Sequence, residues 1–329
     1  MEDLKKLVTL AIKKGASDIH LVAGAFPYLR IHGRLYPVKK PILTQAAVQK
    51  ISDAICEPRQ KDLLEAVGDV DVGIMIGNTS LRVNIHHQIN GFGIAIRVVP
   101  EKIPSPEELG LSEDLVEAAI SHDGFVVISG AAGSGKSTTL ASLVDLINKT
   151  TQSHIITLED PIEYRFSHEK SLIEQRQLGL HFPSFQEGLR HVLRQDPNVI
   201  VVGEMRDPET IELALTAAET GHLVFSTLHS PNAYEVVERM VGVFEGNRQQ
   251  QILTQLSATL RVVIAQKLLP GKEGGRVAAR EVMITNSAVR NAIRQNNLGT
   301  LKSAIQTGKR YGMVSMDIAL EQLTREGKI

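Results

Sequence analysis

The sequence predicts an α/β protein in two parts: a small α+β unit over residues 1–100 and a core of alternating strands and helices over residues 114–270. Three observations carry this. Gly130-Ala131-Ala132-Gly133-Ser134-Gly135-Lys136-Ser137 fits the phosphate-loop pattern G-x-x-x-x-G-K-[ST]. Three segments of alternating apolar residues between Val70 and Val98 are separated by Gly77-Asn78 and Asn90-Gly91, as in an antiparallel meander. At 329 residues, the chain is also longer than most single cores.

In the first unit, Leu4, Leu7, Val8, Ala11 and Ile12 form a helical stripe ending near Gly15. Residues 17–38 read as strands with a tight connection near Gly33, and Thr44 can cap a second helix through Ile55. The meander follows, with Val70, Val72, Ile74 and Ile76, then Leu81, Val83 and Ile85, then Ile94, Ile96 and Val98 on its apolar face. Arg82 and Arg97 fall out of phase with these residues and so emerge from the opposite face. Taken alone, such a pair is most simply a solvated surface pair.

Residues 101–113 hold two prolines and many charges with little periodicity, and read as an interdomain linker. In the core, Phe125-Val126-Val127-Ile128 is a buried strand and Thr138–Asn148 a helix, so strand, glycine loop and helix start occur in the order a phosphate site needs. Gly130, Gly133 and Gly135 let backbone N–H groups turn around phosphate oxygens, and Ser134 and Thr138 complete the cradle. Lys136 reaches the β- and γ-phosphates, and the Ser137 hydroxyl ligates Mg²⁺. ATP and Mg²⁺ are therefore the expected ligands.

Three more strands are legible. His154–Leu158 runs into Glu159-Asp160-Pro161-Ile162-Glu163. Val199–Val202 ends in Gly203-Glu204, and Leu223–Thr227 is flanked by His222 and His229. A helix over 208–220 joins the last two strands. Acids at the carboxyl ends of parallel strands face the ligand crevice, which makes Glu204 a Walker B candidate for Mg²⁺. His229 is placed to sense the γ-phosphate and His222 to support the neighbouring turn. Residues 271–329 read as a helical region outside the nucleotide core, with helices at 286–295, 301–306 and 316–325.

Composition sets the outer limits. Hydrophobic content is 43%, charged content 22% and net charge −1. The whole molecule thus has no electrostatic reason to bind nucleic acid or an anionic membrane. One cysteine, Cys56, rules out an internal disulfide or a multi-cysteine zinc site. No apolar run reaches the roughly 18 residues of a membrane span, so a cytoplasmic protein with only peripheral membrane contact is expected.

Four stretches together resemble the PilT-type retraction ATPases of type IV pili, within the secretion ATPase superfamily. They are the Walker A box at 130–137, the Asp box at 156–163, the Walker B region at 196–207, and the His box at 216–222 with 226–229. The resemblance extends to Ala16-Ser17-Asp18-Ile19-His20-Leu21 and to Ser303-Ala304-Ile305-Gln306-Thr307-Gly308, near the two ends of the chain. It implies a PAS-like amino-terminal domain joined to a RecA-like ATPase core with a carboxyl-terminal helical bundle, assembled as a homohexamer. It further implies an inner-membrane platform protein as partner and a place at the pilus base.

Under the resemblance, Arg82 and Arg97 reach the phosphates from the smaller domain. Glu163 aligns the attacking water and Glu204 orders Mg²⁺, although the two could share or exchange these roles. Ala292-Ile293-Arg294 matches a stretch associated with retraction, whereas Gln295-Asn296-Asn297 stands where retraction motors usually carry an acid and a glycine.

Other classes fit less well. Assembly and type II secretion ATPases usually add a long amino-terminal domain and a four-cysteine zinc site. A RecA-like DNA motor would want a basic channel with stacking aromatics, but aromatic residues make up only 4% of the chain and tryptophan is absent. A non-catalytic ring subunit is disfavoured by the intact Lys136, Ser137, Glu163 and Glu204.

Overall fold

The computed structural model describes every residue except 1, 32, 40, 78, 100, 101 and 206. Asn78 of the expected turn, Glu101 at the start of the expected linker and Arg206 of the Walker B region lie outside the described residues. The chain divides into two compact units, residues 1–102 with 161–165 and residues 103–160 with 166–329.

The first unit opens with α1 (Glu2–Lys13), which buries Leu4, Leu7, Val8 and Ala11. Ile12, one step beyond that stripe, stays 50% exposed. Gly15 closes the helix at a φ of 62°, a left-handed conformation that costs glycine little. The short strands β1 (Asp18–Val22), β2 (Tyr28–Ile31) and β3 (Arg34–Pro37) follow. Next comes α2 (Gln45–Ile55), where the Thr44 side chain accepts from the Ala47 N–H as expected of a cap. The helix α3 (Pro58–Val67) was not legible in the sequence; proline at its first turn and a capping box between Glu57 and Gln60 start it.

The meander is β4 (Asp69–Ile76), β5 (Thr79–Gln88) and β6 (Gly91–Val98). The full sheet runs β3-β2-β1-β6-β5-β4 and every neighbouring pair is antiparallel. Ile19, Leu21, Leu81, Val83, Ile85, Ile94 and Ile96 line its buried face and pack with the residues of α1 and α2 in one core. At roughly 25 cal/mol per Å² of apolar surface removed from water, this burial is what holds the short strands in register.

The second unit contains α4 (Glu113–Ala119), β7 (Gly124–Ser129), α5 (Lys136–Thr150), β8 (His154–Glu159), β9 (Leu172–Gln177), α6 (Phe185–Val192), β10 (Val199–Glu204), α7 (Pro208–Glu219), β11 (Leu223–Leu228), α8 (Ala233–Gly242), α9 (Asn247–Thr259), β12 (Leu260–Pro270), β13 (Arg276–Ile284), α10 (Ser287–Arg294), α11 (Leu298–Thr307) and α12 (Met316–Arg325). The sheet order is β13-β12-β7-β11-β10-β8-β9. All pairs are parallel except β12 with β13. Every residue of β7 and β11 is buried, which is why apolar residues run consecutively through Phe125–Ile128 and Leu223–Phe225 instead of alternating.

Two expectations need correction. The greater part of the linker at 101–113 is fixed to the second unit, because Leu111 is buried in its core and Arg280 Nη1 donates to the Leu109 carbonyl at 2.8 Å. Burial pushes the Arg280 guanidinium down to about 10, so it keeps its charge at neutral pH. Residues 271–329, expected as a helical region outside the nucleotide core, instead share that core. β13 extends the sheet, and Val289, Ala292, Ile293, Leu301 and Ile305 belong to the same apolar cluster as Val127, Ile156 and Val224.

The three expected carboxyl-terminal helices are present, and their connection explains the atypical Gln295-Asn296-Asn297. Asn296 takes a φ of 51°, a position that suits glycine and that asparagine tolerates. The Asn297 side chain caps α11 by accepting from Thr300 N–H. The departure in sequence therefore fits a tight turn with a cap of its own.

Candidate nucleotide site

The glycine loop follows β7 and enters α5, whose cap is Gly135. Gly130, Gly133 and Gly135 have φ values of 140°, 73° and 86°, a run of backbone angles that only glycine accepts without strain. Space adds a second constraint at Gly130, where a Cβ would collide with the Gln266 carbonyl oxygen and crowd the Ser134 hydroxyl at 2.7 Å. Lys136 is 9% exposed, and its Nζ curls back over the loop to donate to the carbonyls of Gly130 at 2.8 Å and Ala131 at 3.1 Å. An ammonium held over a hollow of backbone amides, at the positive end of a helix, suits a phosphate chain. Ser134 Oγ is buried there without a hydrogen-bond partner among the described residues.

Strand register places Glu204 level with the start of this loop. Ile128 of β7 pairs with Thr227 of β11, which pairs with Glu204 of β10. Glu204 thus stands level with the strand end that feeds the loop, two strand spacings or about 10 Å across the sheet. A bulge between Val202 and Glu204 shifts the register and re-aims the carboxylate. Gly203 permits the bulge, since a Cβ there would press on the Leu158 carbonyl at 3.1 Å. The hydroxyls of Ser226 and Thr227 hold it by donating to the carbonyls of Val202 at 2.7 Å and Gly203 at 2.6 Å. His229 Nε2 lies 3.3 Å from Glu204 Oε1, so the structure brings those two predicted residues together. Ser137 on the first turn of α5 and the Glu204 carboxylate are hard oxygen donors of the kind Mg²⁺ takes.

His222 is not part of this group. It precedes β11, at the end of the strand opposite the crevice and about 20 Å from it at 3.3 Å per residue. Its Nδ1 lies 2.9 Å from the Ala217 carbonyl and 3.2 Å from Thr220 Oγ1, and its own carbonyl accepts from Gly124 N–H. It ties the end of α7 to the starts of β7 and β11.

A second group sits on the first unit. Arg82 and Arg97 are direct cross-strand partners, both on the polar face, as their phase requires. The Asp-box segment 161–165 belongs to this unit, and Arg82 Nη1 is 3.8 Å from Glu163 Oε1 while Nη2 is 3.9 Å from Asp71 Oδ2. Arg97 Nε donates to Asp18 Oδ1 at 3.1 Å. Asp18 also lies 3.9 Å from Arg30.

These features can be set beside known proteins. The type II/IV secretion system protein family matches residues 1–273. The chain belongs to this family. Among the similar secretion ATPases is PilT of Pseudomonas aeruginosa PAO1, named as the type IV pilus retractation ATPase, 42% identical over 328 residues that span 99% of this chain and 95% of that one. A twitching motility protein of Neisseria gonorrhoeae is 42% identical over 310 residues, 94% of this chain and 83% of its own. The crystal structure of the pilus retraction motor PilT with bound ADP matches with a TM-score of 0.90 at 43% identity, covering 99% of this chain and 94% of that one.

The support that sequence reasoning missed is Gln266; Ser226, Thr227 and Gly203 lie within the motifs already quoted, but their part in holding the bulge could not be read there. A polar residue inside an otherwise apolar strand was the only sequence signal of Gln266. The tight fit at Gly130 gives a direct prediction. Gly130→Ala is expected to cost about 1–3 kcal/mol in backbone strain alone, read as a lower urea midpoint, and to weaken ADP binding as the loop is displaced.

Proposed function

We propose that the chain is an ATP-hydrolysing motor that powers type IV pilus retraction, acting as a homohexamer on an inner-membrane platform protein from the cytoplasmic side. The observation that carries this is likeness over nearly the whole chain to proteins named for retraction and twitching. Among the described residues no helix is long and apolar enough to cross a membrane.

In this reading the loop at 130–138 binds ATP through its amides, and Lys136 holds the β- and γ-phosphates. Mg²⁺, held by Ser137 and Glu204, would neutralise charge on the phosphate oxygens. Glu163 accepts a hydrogen bond from the attacking water and sets it in line with the γ-phosphorus; Glu204 can take a share of that work through its place beside His229. His229 reports whether the γ-phosphate is present, and His222 keeps the sheet end in place. Arg82 and Arg97 neutralise charge on the transferred group, and the small domain closes over ATP. That closure and the reopening after hydrolysis are the working stroke. The chemistry is in-line attack of water on the γ-phosphate, driven by positioning and charge.

Steady-state ATP hydrolysis by the purified chain is the first test. Turnover is expected, and ADP binding without turnover would mean a non-catalytic ring subunit. Glu163→Gln and Glu204→Gln keep shape but remove a base. Each is expected to lower kcat by about 10²-fold or more while ADP binding persists. The variant with the larger loss identifies the group that polarises water.

A further inference from the structure

We propose that Gln266 is a positioning residue for the phosphate loop, a buried brace that fixes the loop's backbone for nucleoside di- and triphosphates. The inference rests on the reading that residues 130–138 take phosphates.

Gln266 lies in β12 after Val262, Val263, Ile264 and Ala265, all fully buried, and is itself 1% exposed. An amide in such a strand must find partners for both of its ends. Both partners are on the loop and the helix that follows it. Nε2 donates to the Ser134 carbonyl at 2.6 Å, and Oε1 accepts from Thr139 Oγ1 at 2.9 Å.

The first bond orients a peptide group. In a planar trans peptide the C=O and N–H point in opposite directions, so holding the Ser134 carbonyl toward Gln266 turns the Gly135 N–H away from it, toward the hollow where phosphate would lie. The second bond fixes the first turn of α5, the source of the remaining amides. The glycines permit this seating at both ends of the loop. A Cβ at Gly130 would strike the Gln266 carbonyl, and one at Gly135 would come within 3.0 Å of Gln266 Nε2. Gln266 acts through the Ser134 peptide and Thr139, not by touching the nucleotide.

Gln266→Met keeps most of the volume and removes both bonds. In the full chain, a fluorescent ADP analogue is titrated against wild type, Gln266→Met, Thr139→Val, the double variant and Lys136→Ala, and nucleotide-free melting is recorded for each. Gln266→Met is expected to weaken ADP binding by about tenfold, the worth of one oriented hydrogen bond. The KM for ATP should rise in step and kcat should change little, because di- and triphosphate lose the same amides. Thr139→Val is expected to weaken binding less, and the double variant no more than Gln266→Met, since the two side chains form one brace. Gln266→Met that melts lower yet binds ADP like wild type overturns the proposal. If Gln266→Met does not fold, Thr139→Val decides, and wild-type affinity there overturns it. Lys136→Ala separates the two levels. Normal ADP binding in that variant overturns the phosphate-loop reading itself, whereas weak binding there beside normal binding in Gln266→Met removes only the brace.

Discussion

Lys136→Ala is expected to abolish measurable ATP hydrolysis and to weaken ADP binding by at least about tenfold while the fold persists. The ammonium is buried and held at 2.8 Å and 3.1 Å by the carbonyls of Gly130 and Ala131, over the loop that would receive the phosphates. Hydrogen bonds to charged groups contribute about 1.5–3 kcal/mol each, so losing the one to the β-phosphate of ADP corresponds to about tenfold or more, and losing both in ATP to about a hundredfold or more. Alanine suits the first turn of α5 better than lysine by intrinsic propensity, and the strands beneath are packed independently of this side chain. Circular dichroism unchanged from wild type, together with lost nucleotide affinity, is the expected pair of results. Retained hydrolysis would mean that the loop does not bind the phosphates.

Arg82→Ala is expected to lower kcat by about 10³-fold, the low end of what an arginine at a transferring phosphoryl group supplies, with little change in thermal stability. Its ion pairs with Asp71 and Glu163 are long, at 3.9 Å and 3.8 Å, and the side chain is 35% exposed. Exposed pairs of this kind contribute about 0–1 kcal/mol. A large kinetic loss without a stability loss would therefore identify charge neutralisation in the transition state. Lysine at position 82 should restore only part of the rate, because it lacks the planar fork. A kcat within tenfold of wild type would leave Arg82 as a surface residue. Arg97→Ala, its cross-strand neighbour on the same face, is the natural companion measurement.

What was legible in the sequence and what was not follow from the range of the interactions involved. The phosphate loop and its flanking strand and helix are contiguous, so their chemistry is written in one stretch. β8, β10 and β11 show as apolar runs because they are buried in a parallel sheet, and the shared face of Arg82 and Arg97 follows from a period of two. Gln266 was missed because its meaning depends on Ser134 and Thr139, far away in the chain. β12 and β13 were missed because α9 runs into β12 without a turn signal, and an apolar run such as Leu260–Leu269 does not by itself distinguish strand from buried helix. The same gap explains why residues 271–329 were read as separate from the core. His222 was grouped with the site because it belongs to the same motif as His229, although it precedes the strand that His229 follows. The placement of 161–165 with the first unit is a tertiary fact with no local signature.

The central claim, that nucleotide turnover in this chain drives retraction, is tested most directly in the native host. Surface pili are counted and twitching is scored in a strain whose only copy of the chain carries Lys136→Ala. Excess surface pili without twitching is the predicted result. Loss of pili would contradict it and assign the motor to assembly, and normal twitching would mean that ATP turnover here does not power the pilus.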